Sequence, residues 1–322
     1  SPSAGDIVAF KDYANTWDCN AVTLCRNGSK INGVCSNTNL VTESQSVTLI
    51  YVDGTKGWQD IHDSTAKISG NPGFITATGG TITTSGDFKI HTFTGDGCFA
   101  VTNTCGSGVG AQISYMVVAG GGGGSGAGGG AGGFREGKTP ATPYTASPLV
   151  APAGLSVSVQ TYPISIGAGG AGSPNGYPNA GTVGVNSIFS TITSAGGGLG
   201  GQSPTPSPGG DGGSGGSGGG AGNHPGGSAS AGSGNTPPVS PPQGNNGGTS
   251  SPGPGNAIGM GGGGGASAVG ANGTQGPAPT KGNAGAGGAG VSTEITGSAV
   301  ARAGGGGGGA QSTSGCASGG GA

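Results

Sequence analysis

Residues 120–133 read GGGGGSGAGGGAGG. Such a run has no side chains with which to fill an oil-like core, and glycine loses more conformational freedom on ordering than any other residue. Further runs follow at Gly167–Gly172, Gly196–Gly201, Gly209–Gly222, Gly259–Gly265, Gly282–Gly290 and Gly304–Gly309. Only 15 of the 84 glycines precede Val118, and no aromatic residue follows Phe189. Order in this half therefore has to come from backbone packed on backbone.

Gly and Pro at this density are the usual mark of disorder. Against that default, the glycines are arranged in runs and not scattered. Several runs carry a three-residue beat: from Gly209 the chain reads GGD-GGS-GGS-GGG, and glycine recurs at Gly282, Gly285 and Gly288. Three residues per turn is the period of the polyproline II helix, whose backbone groups find no partner within their own strand. The expected fold is all-β at the amino end, then a polyglycine II helix bundle cross-bonded through backbone, with essentially no α-helix. Each hydrogen bond returns about 0.5–1.5 kcal/mol net, against about 1–2 kcal/mol to fix each backbone unit. Such a bundle must be almost fully bonded, with Ile164, Ile166, Val183, Val185, Ile188, Phe189, Ile192 and Leu199 assisting at its edges.

Working outward, composition changes near Val117. The first 117 residues hold both tryptophans and five of the six cysteines. Segments Ala21–Cys25, Ser46–Val52, Gly80–Thr84, Phe88–Phe93, Cys98–Thr102 and Gln112–Val118 alternate polar with apolar or β-branched residues. Asn27-Gly28, Asn32-Gly33, Asp53-Gly54 and Gly95-Asp96-Gly97 separate them as turns. The predicted organisation is a β module at 1–68, a second at 69–117, and the glycine-rich region at 118–322. Thin cores of this size are reinforced by disulfides or by self-association. Cys98 and Cys105 could face each other across a hairpin; small buried hydrophobes are the alternative reading of the cysteines. The chain opens on Ser1 and is read as a processed or truncated product.

Charged residues make up 7% of the chain and the formal net charge is −2. This gives no electrostatic basis for binding nucleic acid. No apolar run approaches the roughly 18–20 residues of a membrane helix. Gly132–Thr139 satisfies the phosphate-loop pattern GxxxxGK[ST], yet Pro140 and Pro143 follow where a helix would have to open. The three histidines are scattered, the cysteines lack zinc spacing, and no carboxylate pair suggests glycoside cleavage. The reading is a non-enzyme without cofactor or metal.

Binding then falls to the segments between glycine runs, since loops on rigid scaffolds commonly carry it. The longest, Phe134–Pro163, supplies Arg135, Lys138, Tyr144 and Tyr162 as receptor-contact candidates. Ser173–Asn179 supplies Tyr177. Tyrosine is large, amphipathic and loses little rotamer entropy.

Ala77-Thr78-Gly79-Gly80-Thr81 through His91-Thr92-Phe93, then Tyr115–Ala119 running into Gly120–Gly124, resembles glycine-rich tail-fibre proteins of tailed bacteriophages. Gly5–Ala9, Thr48–Asp53 and Gly57-Trp58 are similar to a β module of phage fibre proteins. The alternation of runs and loops resembles, in style, the tip adhesins of T-even-type phages. The resemblance implies an extracellular virion protein that forms a homotrimer. It would join other fibre or baseplate proteins and touch a host-surface protein or glycan, without entering the membrane. A purely structural fibre, capsid-decoration or filament subunit is the alternative.

Overall fold

The computed structural model describes residues 1–64, 75–104, 111–174, 180–202, 210–222, 229–251, 258–276, 282–312 and 315–317. The chain gathers into two compact units. One comprises Ser1–Ala77, Val101–Ala111 and Val157–Gln160, and the other Thr78–Ala100, Gln112–Ser156 and Thr161–Ala322.

In the first unit, β1 (Ile7–Lys11), β2 (Val22–Leu24), β3 (Thr38–Leu40), β4 (Ser46–Asp53) and β5 (Gly57–Asp63) form a sheet of order β1-β4-β5 and a β2-β3 hairpin. Every strand pairs antiparallel with its neighbour, and Ile31 adds a single parallel bridge to Trp58 of β5. Period-two alternation decides which face is buried. Val47 and Leu49 of β4 point inward, opposite Phe10 and Val8 of β1. They meet Leu24, Ile31 and Leu40, and Trp17 and Trp58 pack against the cluster. Asn32 and Gly33 both take positive φ between Ile31 and Val34, as a tight turn requires.

Asp12 is almost wholly buried, and its carboxylate accepts N–H bonds from Thr16 (2.9 Å), Trp17 (3.2 Å) and Ser44 (3.0 Å). Burial works against its charge. The backbone N–H groups of Trp17, Thr16, Ser44 and Asn15 outweigh burial and hold the carboxyl below its ordinary 3.8. A depressed carboxyl contributes its stability in full above that ordinary value and loses it as pH falls through the folded-state value. The melting temperature followed by tryptophan fluorescence should therefore fall as pH drops below 3.8. Asp12→Asn should lower the melting temperature at pH 7 and flatten this acid dependence; an unchanged acid limb would remove Asp12 as its cause.

Along the chain follow β6 (Thr76–Thr78), β7 (Thr81–Ser85), β8 (Phe88–Thr92), β9 (Gly97–Asn103), β10 (Gln112–Ile113), β11 (Tyr115–Val118) and β12 (Phe134–Gly137). After them come β13 (Val150–Ala151), β14 (Leu155–Ser156), β15 (Gln160–Ser165), β16 (Ser187–Phe189), β17 (Ile192–Ser194), β18 (Val291–Thr293), β19 (Val300–Arg302), β20 (Ala310–Ser312) and β21 (Gly315–Ala317). The second unit contains the hairpins β7-β8, β18-β19 and β20-β21, the pair β10-β14, and the sheet β11-β12-β13. It also holds the antiparallel meander β15-β16-β17, whose Phe189 meets Tyr162 and Phe99 edge to face.

This overturns the expected polyglycine II helix bundle. Among the described residues there is no helix of any class, and the regular structure is a set of small, mostly antiparallel sheets. Sheet pairing forms where side-chain-bearing stretches interrupt the glycine runs, as at Phe134–Gly137, Gln160–Ser165 and Ser187–Phe189. Phe134–Pro163 is likewise not one loop, because it contains β12, β13, β14 and most of β15.

The glycine segments lie between these sheets and bond to one another. Gly122 donates to Gly130, Gly128 to Gly261, Gly130 to Gly198, Gly198 to Ser217 and Gly220 to Gly128, at 2.8–3.1 Å. Outer segments bury one residue in three. Gly181, Gly184 and Ser187 face inward, while Thr182, Val183, Val185 and Asn186 are exposed. Thr182 and Val185 donate to Ala171 and Ala168, each at 2.9 Å. The same spacing turns Gly282, Gly285 and Gly288 inward, which gives the triplet beat its physical meaning.

Candidate functional site: a clasped segment at Lys138–Leu149

Strand β12 lies between β11, antiparallel, and β13, parallel. Its alternation sends Phe134 and Glu136 to the buried side and leaves Arg135 partly exposed, and Lys138, just past the strand, is partly exposed as well. Phe134 fills an apolar cluster with Ala266 and Val291, flanked by Met116, Val118, Leu149 and Ala303. Glu136 shares that buried side but carries a carboxylate, so it needs donors. It receives the Ser147 N–H at 2.9 Å and the Thr293 hydroxyl.

Four further contacts hold the same segment. Thr145 donates its N–H to Glu294 Oε2 at 3.1 Å, and Glu294 returns its own N–H to the Thr145 carbonyl at 3.0 Å. The Thr145 side chain, and then its N–H, hydrogen-bond the Glu294 carboxyl and hold it below its ordinary range. Ser114 Oγ accepts the Thr139 N–H at 2.9 Å and lies 2.9 Å from Thr142 Oγ1. The segment is thus tied to β11's approach, to β12 and to the β18 end, residues far apart in sequence.

On this support the Lys138 ammonium sits 5.4 Å from the centroid of the Tyr144 ring, a cation–π distance. Burial, reinforced by the Glu136 charge, pushes the Tyr144 phenol well above its ordinary range, so it stays neutral. Around the pair, Pro140, Ala141, Pro143, Thr145 and Pro148 are exposed. Arg135 projects from the opposite face of β12 near Tyr115. Burial raises the Tyr115 phenol, and the Arg135 charge partly offsets that rise.

The sequence-derived contact candidates are therefore divided. Lys138 and Tyr144 come together, whereas Arg135 stands on the other face. Tyr162 is buried in β15 against Phe189. Tyr177 and Cys105 lie outside the described residues, while Cys98 is exposed on β9. The phosphate-loop match falls on β12 and the turn after it. Among the described residues no group of three or more His, Cys, Asp or Glu side chains is placed to hold a metal, and no helix is long and apolar enough to cross a membrane. Sequence reasoning missed Glu294, Thr293, Ser114 and Thr142. Glu294 did leave a signal, because so few charged residues follow Thr139.

Comparison with protein families, curated proteins and solved structures finds no match.

Proposed function

We propose that this chain is a fibre or fibre-tip component of a bacteriophage virion that recognises the host surface. Lys138–Leu149 is then the contact segment. In this reading the chain is extracellular, assembles as a homotrimer beside other virion proteins, and meets a host-surface protein or glycan. The carrying observation is the Lys138–Tyr144 pair on a segment fixed by Glu136, Glu294 and Ser114. A cation and an aromatic ring held in place lose little freedom on binding, and such preorganisation favours affinity.

The test uses the labelled full chain against a panel of bacterial cells. Combined Lys138→Ala and Tyr144→Ala should weaken cell binding about 10–100-fold, the range of a central contact residue, with thermal unfolding unchanged. Undiminished binding rejects this segment as the contact. Wild-type chain that binds no cells of a host the virion adsorbs to rejects the recognition reading and favours a purely structural subunit.

A further inference from the structure

Strand β7 in the second unit is exposed along its whole length: all five residues, Thr81, Ile82, Thr83, Thr84 and Ser85, are exposed on both faces. Among the described residues it pairs with β8 alone, in a two-stranded sheet. The inner strand is anchored, since His91 Nδ1 lies 2.8 Å from the Gly79 carbonyl and its ring meets Phe99 at 5.1 Å. β7 is the outer edge of this ribbon.

The hairpin geometry fixes which backbone groups are open. Ser85 and Phe88 flank the two-residue loop Gly86-Asp87, in which Gly86 has φ of 56°. Residues flanking such a loop exchange both backbone bonds, and bonded pairs then alternate along the strands. Ser85–Phe88, Thr83–Ile90 and Thr81–Thr92 are the bonded pairs. The N–H and C=O groups of Ile82 and Thr84 consequently point away from β8. An open edge with no charge, no proline and β-branched side chains is a template for another strand.

We propose that β7 pairs antiparallel with β7 of a second copy of this chain, about a two-fold axis at Thr83. The strand is self-complementary in that register. Ile82 of each copy exchanges both bonds with Thr84 of the other, Thr83 faces its own counterpart, and no charged side chain within β7 opposes its like. Pairing turns two free-standing two-stranded ribbons into one four-stranded sheet, past the size at which sheets are marginal. This contact is independent of the host-recognition reading and joins whatever assemblies the chain otherwise forms.

Sedimentation of the full chain from about 1 μM to about 1 mM, the range for a small edge contact, should show the mass doubling from its dilute value. Amide exchange at Ile82 and Thr84 should slow at least about 10-fold over that range as the edge becomes bonded. Ile82→Pro removes an outward N–H that β8 does not use, so the hairpin survives and the doubling should vanish. Thr83→Lys opposes like charges across the axis and should also prevent doubling, and mixing it with Thr83→Glu should restore it. A constant mass at all concentrations overturns the proposal. So does doubling with fast Ile82 and Thr84 amides, or an Ile82→Pro chain that doubles like the wild type.

Discussion

Alanine at Gly123 is expected to unfold the glycine core of the second unit, while alanine at Gly121, two residues earlier, leaves it intact. A Cβ on Gly123 would lie 1.9 Å from the Ala171 carbonyl oxygen and 2.4 Å from its carbon. The obstacle is backbone, so no side chain can rotate away. The segment would have to move by about 1 Å, since real Cβ contacts closer than 3.0 Å essentially never occur. That movement breaks the bonds from Gly123 to Thr182 and from Gly200 to Gly123. Each buried group left unpaired costs about 1–3 kcal/mol. Three of these groups belong to the buried Gly123 and Gly200, so the loss reaches about 3–9 kcal/mol, comparable to the whole stability of a domain. At Gly121 the nearest atoms are 3.6 Å and 3.8 Å away, and φ is not positive. Alanine there should be neutral or stabilising by about 0.4–1 kcal/mol, through the unfolded chain. Denaturant unfolding of the two variants tests this directly. Equal midpoints would mean that the glycine requirement is not set by backbone contact.

The second large effect is expected at Glu136. Removing its carboxylate in Glu136→Ala leaves the Ser147 N–H and the Thr293 hydroxyl buried without an acceptor. The expected loss is about 2–6 kcal/mol, two unsatisfied groups at about 1–3 kcal/mol each. Glu136→Gln keeps one acceptor oxygen and should lose roughly half as much. Hydrogen exchange separates local from global damage, because the Ser147 and Thr145 amides should lose protection well before those of the glycine core. If both variants unfold like the wild type and keep Ser147 protected, the clasp is not what holds the segment.

Local pattern carried β2 and β4 in the first unit and β7, β8, β9 and β11 further along the chain. The alternation in Ser46–Val52 corresponds to β4, and Phe88–Phe93 to β8, because one face of each meets apolar neighbours and the pattern lies within a few residues. β12 escaped notice for the opposite reason. Phe134-Arg135-Glu136-Gly137, with two charges and glycine at both ends, has the composition of a loop. Its buried carboxylate makes sense only with Thr293 and Ser147 beside it. Nothing near Glu136 in sequence announces a partner so distant. Lys138 and Tyr144 stood out in the sequence as a cation and an aromatic in a segment poor in both. Their stacking was not legible, since it depends on the turn at Thr139–Thr142 that Ser114 holds. The triplet beat was read as the period of a polyglycine II helix; what it marks is the inward spacing of glycines such as Gly282, Gly285 and Gly288, and it gave no sign of the sheets that form between the runs.

The bonding between glycine segments also sets an order of assembly. The run made first, Gly120–Gly133, accepts bonds from the run made last: Gly309 donates to Gly126, and Gly306 to Gly129. At about 5–20 residues per second of synthesis, the first run waits roughly 10–40 s for its final partners. A stretch rich in Leu or Val left open that long would recruit other chains. Glycine and alanine offer water no large apolar surface while they wait. The composition that deprives this half of an oil-like core thus lets it emerge unfinished and close only when its last segment arrives.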